Sequence, residues 1–292
     1  MVVEPFIETV VVAGRLLVGS LRDLQCSDLD QIADGSHRYA VAHFETERDT
    51  RVMARREGDG WRLLGTKSMV MAAPWAERLV VSATEAGSAD ATGPAMLFVI
   101  ERDAPGVGMD AFSTIDGRCA ADLRFDDVRL DNGALLSTGD KAAMRLEEAL
   151  DAARAAQAAE AVGIMRRMLR DTTDYTLGRR QFGKALADFQ VSRHRMTDMA
   201  MQIERATSAL YLGTLNLSAE PNARARAVST MAVVVARALR FVAQSAIQLH
   251  GGMGMTDELA LGHYAKRALA IEQTYGNAEW HLRRFATLRD AA

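Results

Sequence analysis

Only one of the chain's five prolines, Pro221, lies beyond residue 105; the others are Pro5, Pro74, Pro94 and Pro105. A proline inside a helix removes a backbone hydrogen bond and clashes with the preceding turn, at a cost of ~3 kcal/mol. The last two-thirds of this chain are therefore free to form long helices. Their apolar residues follow helical spacing. Val235, Leu239, Val242, Ala246 and Leu249 form one stripe, and Ile203, Ala206, Leu210, Gly213 and Leu217 form another, with Gly213 as its small member. Arg145–Arg180 carries alanines at 152, 153, 155, 156, 158, 159 and 161, which favour helix and permit close helix contact. Four long helices are expected, near residues 145–180, 187–218, 222–250 and 257–287, and four such helices make a bundle.

The first third has a different texture. The first ~30 residues read as one helix or two short ones. Arg38–Phe44 is short and rich in aromatic and aliphatic residues. Thr50–Arg55 and Trp61–Gly65 flank Glu57-Gly58-Asp59-Gly60, which predicts a hairpin. Arg78–Thr84 and Ala95–Ile100 read as strands joined by a Gly/Ser/Ala-rich loop. Ala121–Leu130 alternates Leu123, Phe125 and Val128 with charges, with a turn or bulge at Asp126-Asp127. The expected fold class is α+β: a small antiparallel β-domain followed by a C-terminal four-helix bundle. The divisions are 1–29 (end of a helical domain), 30–138 (β-domain) and 139–292 (bundle).

With 49% hydrophobic and 25% charged residues, the composition is that of a soluble globular protein. No stretch approaches the ~18 unbroken apolar residues of a membrane span, so none is expected. Met1–Pro5 has no basic n-region, so no secretory signal is expected. Cys26 and Cys119 read as two buried thiols in a reducing, cytoplasmic setting. The net charge of −3 argues against a general nucleic-acid binder. The charge is unevenly spread: −9 over residues 1–140 and +6 over 141–292. A basic second half suits an anionic small molecule, although a solvated helix surface has the same composition.

No GxGxxG, P-loop, GxSxG, HExxH or CxxC is present, and the six histidines show no metal-ligand spacing. No metal site is expected. Three segments stand out. Arg179-Arg180-Gln181-Phe182-Gly183-Lys184 combines a cation able to grip a phosphate, an amide and a flat ring beside a glycine turn. Gln248-Leu249-His250-Gly251-Gly252-Met253-Gly254 ends a helix on glycines that let a ligand approach the backbone. Gln273-Thr274-Tyr275-Gly276-Asn277-Ala278-Glu279 is a further glycine break. Taken singly, each glycine could simply cap a helix.

In this order and spacing, the three segments resemble the acyl-CoA dehydrogenase family. Its pattern is R-x-x-F-G-x-x-[IL]-x-x-F-Q, then Q-[IL]-x-G-G-x-G, then Y-E-G-T. Arg179–Gln190 reads R-R-Q-F-G-K-A-L-A-D-F-Q. More weakly, Gly58–Lys67 resembles the family's G-x-x-W-x-[IL]-x-G-x-K hairpin, and Ala121–Leu130 its closing β-domain strand. Coverage runs from about residue 30 to about 290. The resemblance implies an N-terminal helical domain, a middle β-domain and a C-terminal bundle. This chain would lack most of the first and keep its last helix in residues 5–25. It implies FAD as cofactor, an acyl-CoA substrate and an electron-accepting flavoprotein. It further implies that Arg179, Gln181 and Phe182 meet the diphosphate and adenosine of a partner subunit's FAD. Gln248, Gly251 and Gly252 would line the ADP portion. Asn277 and Glu279 would stand near FAD, Arg154 near the substrate, and the flavin against the strand after Lys67.

The chain departs from the family at the base that takes the substrate's α-proton. The family's glutamate before glycine is Tyr275 here, and the other position used in the family, just before an arginine, is Ala153. The T-E-P-x-x-G-S-D loop is replaced by His43–Asp49, and the flavin-contacting W-[IL]-[ST]-N strand by Met69-Val70-Met71-Ala72. One explanation is a small, non-catalytic subunit of an α2β2 dehydrogenase for bulky or dicarboxylic acyl-CoAs, with the base on the other chain. A second is a homo-oligomer with a displaced carboxylate, Glu272 ahead of Asp151 and Glu148, although a solvated or salt-bridged helix carboxylate is the preferred reading of all three. A scaffold without chemistry and another flavin oxidase or monooxygenase are the remaining readings.

Overall fold

The computed structural model describes residues 4–18, 25–46, 51–87 and 96–290. The chain divides into two compact units, Val2–Ala153 and Arg154–Ala292, and the division falls inside one long helix.

The first unit opens on a π-helical stretch, Ile7–Ala13, that continues as α1 (Gly14–Leu17); α2 is Gln25–Ala33. Both are tied to the sheet by polar side chains. Thr9 Oγ1 donates to the Tyr39 carbonyl at 2.9 Å and accepts from the Tyr39 amide at 3.1 Å. Asp28 on α2 accepts from the Tyr39 hydroxyl at 2.9 Å and pairs with Arg78 at 2.5 Å. Burial pushes the Tyr39 phenol up to about 12.

The eight-stranded sheet comprises β1 (Tyr39–Ala42), β2 (Met53–Glu57), β3 (Gly60–Met71), β4 (Arg78–Glu85), β5 (Met96–Glu101), β6 (Val107–Ser113), β7 (Cys119–Asp131) and β8 (Leu135–Thr138). Its order is β6-β7-β3-β2-β4-β5-β8, with β1 also beside β4. The sheet is mixed, which corrects the antiparallel expectation: β1 and β2 both pair parallel with β4. Strands joined by a tight turn run antiparallel, but β3 intervenes between β2 and β4 and restores the direction. The β2–β3 hairpin turns at Gly58-Asp59 as expected, with Gly58 at φ 56° and Glu57 opposite Gly60. The bulge at Asp126-Asp127 is also present. Leu63 pairs with Val128 and Gly65 with Phe125, leaving two residues against one, and Asp127 takes φ 57°. Strand β6 has no sequence signature because nearly all of it is exposed. Thr50, Ala95 and most of the Gly/Ser/Ala-rich loop lie outside the described residues, and so does the Cys26 side chain. Cys119 is half-buried, not buried, because it opens β7 at the sheet's rim.

The second unit is built on α3 (Gly139–Gly178) from Arg154 onward, α4 (Gln190–Leu215), α5 (Pro221–His250), α6 (Ala260–Gln273) and α7 (Ala278–Asp290). Its core holds the alanine stripe of α3 (Ala155, Ala158, Ala161) with Met165 and Met168, against Ile203, Val235 and Leu239. Gly213 is small for a packing reason, since a Cβ there would stand 2.9 Å from the Met231 Cβ on α5. Pro221 occupies the first turn of α5, where no amide donor is missed. Pro221–Met255 is long and apolar enough to cross a bilayer by length and composition alone, with mean hydropathy 1.4. Half of that window is buried and its apolar side belongs to the bundle core. The expected fourth helix is two helices. It breaks at Tyr275 (φ 58°) and Gly276 (φ 105°), conformations a helix cannot contain.

Candidate functional site

The first two motif segments meet at one end of the bundle. Helix α3 stops at Gly178, and Arg180–Gln181 (β9) pairs with Lys184–Ala185 (β10) in a minimal hairpin. Its two turn residues, Phe182 and Gly183, take φ 53° and 81°. Two consecutive left-handed residues define a type I′ turn, which needs one glycine and forces Phe182 out at the tip, 91% exposed. The Phe182 ring meets Phe189 edge-on at 6.3 Å, and Lys184 Nζ lies 4.2 Å from the Phe189 ring centroid. Gln181 is exposed and donates to the Arg180 carbonyl at 2.7 Å. Arg179 is exposed, and among the described residues its guanidinium has no ion-pair or hydrogen-bond partner. The second segment ends α5. Gly251 caps it at φ 61°, with its amide donating to the Gln248 carbonyl. Gln248, Gly251 and Gly252 are exposed, and nothing lies within 4 Å of where a Cβ would stand on either glycine, so their backbone is open to a ligand. The two segments are joined by Tyr175 and His250, whose rings stack at 4.3 Å.

The third segment lies at the other end. Arg154 and Tyr175 are both on α3, and at ~1.5 Å per residue they stand about 30 Å apart. Arg154 Nε donates to the Tyr275 carbonyl at 3.0 Å, and its guanidinium covers the Trp280 ring at 4.8 Å. Arg284 approaches the same ring at 5.7 Å. Trp280 in turn packs on Gly276, where an added Cβ would stand 2.6 Å from the indole. Asn277 caps α7, its Oδ1 accepting the Trp280 amide at 2.9 Å, and exposed Glu279 pairs with Arg283 one turn on. The predicted site residues thus form two groups, not one.

Of the carboxylates near the empty base positions, Glu272 is engaged in an ion pair. Glu272 receives Arg240 in a two-pronged pair, Nε to Oε2 at 3.0 Å and Nη2 to Oε1. Both carboxylate oxygens are thus occupied by one guanidinium. Asp151 is fully buried, so it is not a solvated carboxylate. Glu148 is exposed and lines a cavity of about 620 Å³ together with Arg15, Lys141 and Arg145. Ala153 is fully buried.

In the sheet, Lys67 is 2% exposed and donates to Glu45 Oε1 at 2.6 Å and Ser82 Oγ at 2.8 Å. Burial lowers its ammonium to about 8, opposed by the Glu45 charge. Beyond it β3 bulges. Met69 takes φ 53° with its amide bound to Asp122 Oδ1 at 2.8 Å, and Ala72 takes φ 63°. Sequence reasoning missed Tyr175, Trp280 and the buried Arg267–Glu160 pair. The only signal was residue type at an unremarked helix position.

Residues 143–287 match the family model described as acyl-CoA dehydrogenase, C-terminal domain. The human short-chain specific acyl-CoA dehydrogenase is 29% identical over 233 residues, covering 77% of this chain and 55% of that protein. The chain thus spans little more than half of such relatives. A solved steroid ACAD variant, Tcur3481-Tcur3483, is 29% identical with a TM-score of 0.85, over 98% of this chain and 76% of that one. The ChsE4-ChsE5 complex of Mycobacterium tuberculosis has a TM-score of 0.89 over 99% and 77% of the two chains, and at 24% identity it shows a shared fold. Residues 143–287 thus carry an acyl-CoA dehydrogenase C-terminal domain, and members of that family depend on FAD. The Arg179 end fits the ADP portion of that cofactor: an unpaired guanidinium for a phosphate, an exposed ring for the adenine, and open backbone on two glycines.

Proposed function

We propose that this chain is a subunit of an α2β2 acyl-CoA dehydrogenase that introduces an α,β double bond into a bulky acyl-CoA. It supplies the ADP-binding half of a FAD site, and its partner chain supplies the catalytic base. One observation carries this reading. The Arg179 end is open and unpaired, while Tyr275 and Ala153 hold no proton acceptor and Glu272 is locked to Arg240. A neutral phenol, with a reference pKa near ~10, is a weak base at neutral pH.

Bound FAD supplies a hydride acceptor for the substrate's β-carbon. The chain's own residues bind and orient. Arg179 would neutralise the diphosphate, Phe182 would offer its ring to the adenine, and the Gly251-Gly252 backbone would hold the ADP portion. Tyr275 stands about 30 Å along α3 from the residues that would hold the ADP portion. Support for a two-chain enzyme comes from the paired chains named in the Tcur3481-Tcur3483 and ChsE4-ChsE5 structures, and the first of these is described as a steroid ACAD. A flavoprotein electron acceptor and a cytoplasmic location complete the proposal.

The test is to purify the chain alone and with its partner, the dehydrogenase-like chain encoded beside it. The isolated chain is expected to be colourless and the complex yellow. Arg179→Ala should weaken FAD retention by the complex about 30-fold, the loss of a charge-assisted bidentate contact. If the chain alone oxidises an acyl-CoA and Glu272→Gln abolishes this, the proposal is wrong.

A further inference from the structure

The two segments that face the ADP portion come from helices far apart in sequence. Tyr175 bridges them. It lies one turn before Arg179, and its carbonyl accepts the Arg179 amide at 2.8 Å. Its hydroxyl donates to the His250 carbonyl at 3.3 Å, and its ring lies on the His250 imidazole at 4.3 Å with 23° between planes. His250 is the last residue of α5, directly before the Gly251 cap. Its Nδ1 lies 2.8 Å from the Ala246 carbonyl. A carbonyl only accepts, so Nδ1 carries the proton and the ring is fixed to its own helix. His250 is 5% exposed and Tyr175 is half-buried, so the stack lies partly beneath the open surface. One side of the pair thus holds the backbone of Arg179, and the other holds the start of Gly251-Gly252.

We infer that Tyr175 and His250 form a positioning pair that sets the spacing between Arg179 and the Gly251-Gly252 backbone, and so pre-organises the ADP-binding surface before the cofactor arrives. This rests on the FAD reading above. Neither side chain needs to touch the cofactor. Their effect is to keep the cation and the backbone donors at a fixed separation, so that binding does not have to order them. Tyr175→Phe keeps the stack and loses the hydroxyl bond. Tyr175→Leu loses both. His250→Leu loses the stack and keeps the backbone carbonyl.

The test uses the full chain with its partner and has two readouts. The first is amide exchange over residues 179–186 and 248–256 before FAD is added. The second is the FAD dissociation constant of the complex, with thermal unfolding followed in parallel. Tyr175→Leu and His250→Leu are expected to speed exchange in both segments and to weaken FAD about tenfold. Tyr175→Phe should weaken it about two- to threefold. The double Leu variant should lose no more than either single, because both remove one stack. Partial rescue by Phe at an unchanged midpoint separates positioning from general stability. The inference fails if FAD affinity stays at the wild-type value in Tyr175→Leu, or if only the segment carrying the substitution exchanges faster. It also fails if affinity falls only in step with the unfolding midpoint. A wild-type complex that binds no FAD would instead overturn the cofactor reading. The exchange readout on the unliganded protein would then still report whether the pair couples the two segments.

Discussion

At the Arg179 end of the bundle the polar side chains face outward, and Arg179 has no protein partner among the described residues. About 30 Å along α3, at the Tyr275 end, the polar groups are spent on one another. Arg154 holds the Tyr275 carbonyl and covers Trp280, Asn277 caps α7, Glu279 pairs with Arg283 and Glu272 with Arg240. An unpaired cation beside an exposed ring and bare backbone gains by meeting an anion. A set of groups already paired has to lose those partners before it can bind anything. The comparison teaches that one end of the bundle leaves its polar groups open while the other closes them on one another. The sheet resembles the closed end: Lys67, Glu45 and Ser82 satisfy one another inside it.

The sharpest way to break this contrast is at Gly276. Its φ of 105° and a Cβ position 2.6 Å from the Trp280 ring leave no room for a side chain. Gly276→Ala should destabilise the protein by about 3 kcal/mol, the sum of a left-handed penalty and overpacking. Gly252→Ala, in open space, should cost about 1 kcal/mol or less. Chemical denaturation of both variants measures the difference, and equal losses would dissolve the distinction between a filled and an open end.

A smaller effect is expected at Lys67. Its ammonium titrates near 8 when folded and near 10.5 when exposed. Below pH 8 both states hold the proton and the group gives no pH dependence. Between 8 and 10.5 the folded state has released it while the unfolded state still holds it, so stability rises with pH across that window. Relative to Lys67→Met, the wild type should gain at most about 3 kcal/mol over this range. A flat difference, read from paired denaturation curves, would mean that Lys67 is not buried as a charged group.

The smallest expected effect is at the missing base. Tyr275→Glu restores the family residue without altering the backbone carbonyl that Arg154 holds. Because the base is proposed on the partner, turnover of the complex should change less than about twofold. A gain of 10²-fold, within the range a general base contributes, would place the chemistry in this chain.

The helices were legible because an apolar stripe at helical spacing leaves few other folds for a proline-poor chain, and Gly213 already stood out as the small residue at a contact that proves to be with Met231. The hairpin at Gly58-Asp59 and the bulge at Asp126-Asp127 were legible because turn and bulge chemistry is local. The parallel pairing of β1 and β2 with β4 was not, since strand direction depends on what lies between the partners. Strand β6 was invisible because a strand with both faces exposed carries no alternation. The split of the last helix was half legible: Gly276 marked a break, but only the structure shows that Tyr275 is left-handed as well.

The sequence by itself determined which residue types this protein offers to a cofactor, and that no carboxylate stands at either usual base position. Those are properties of composition and spacing. Only the tertiary structure decided which of these residues stand together. Gln248 and Arg179 are about seventy positions apart, yet the Tyr175–His250 stack brings their segments to one end of the bundle. Tyr275 and Arg179 belong to the same family pattern, yet a straight helix holds them some 30 Å apart. Helix rise and side-chain packing set these distances, and neither is written in a motif.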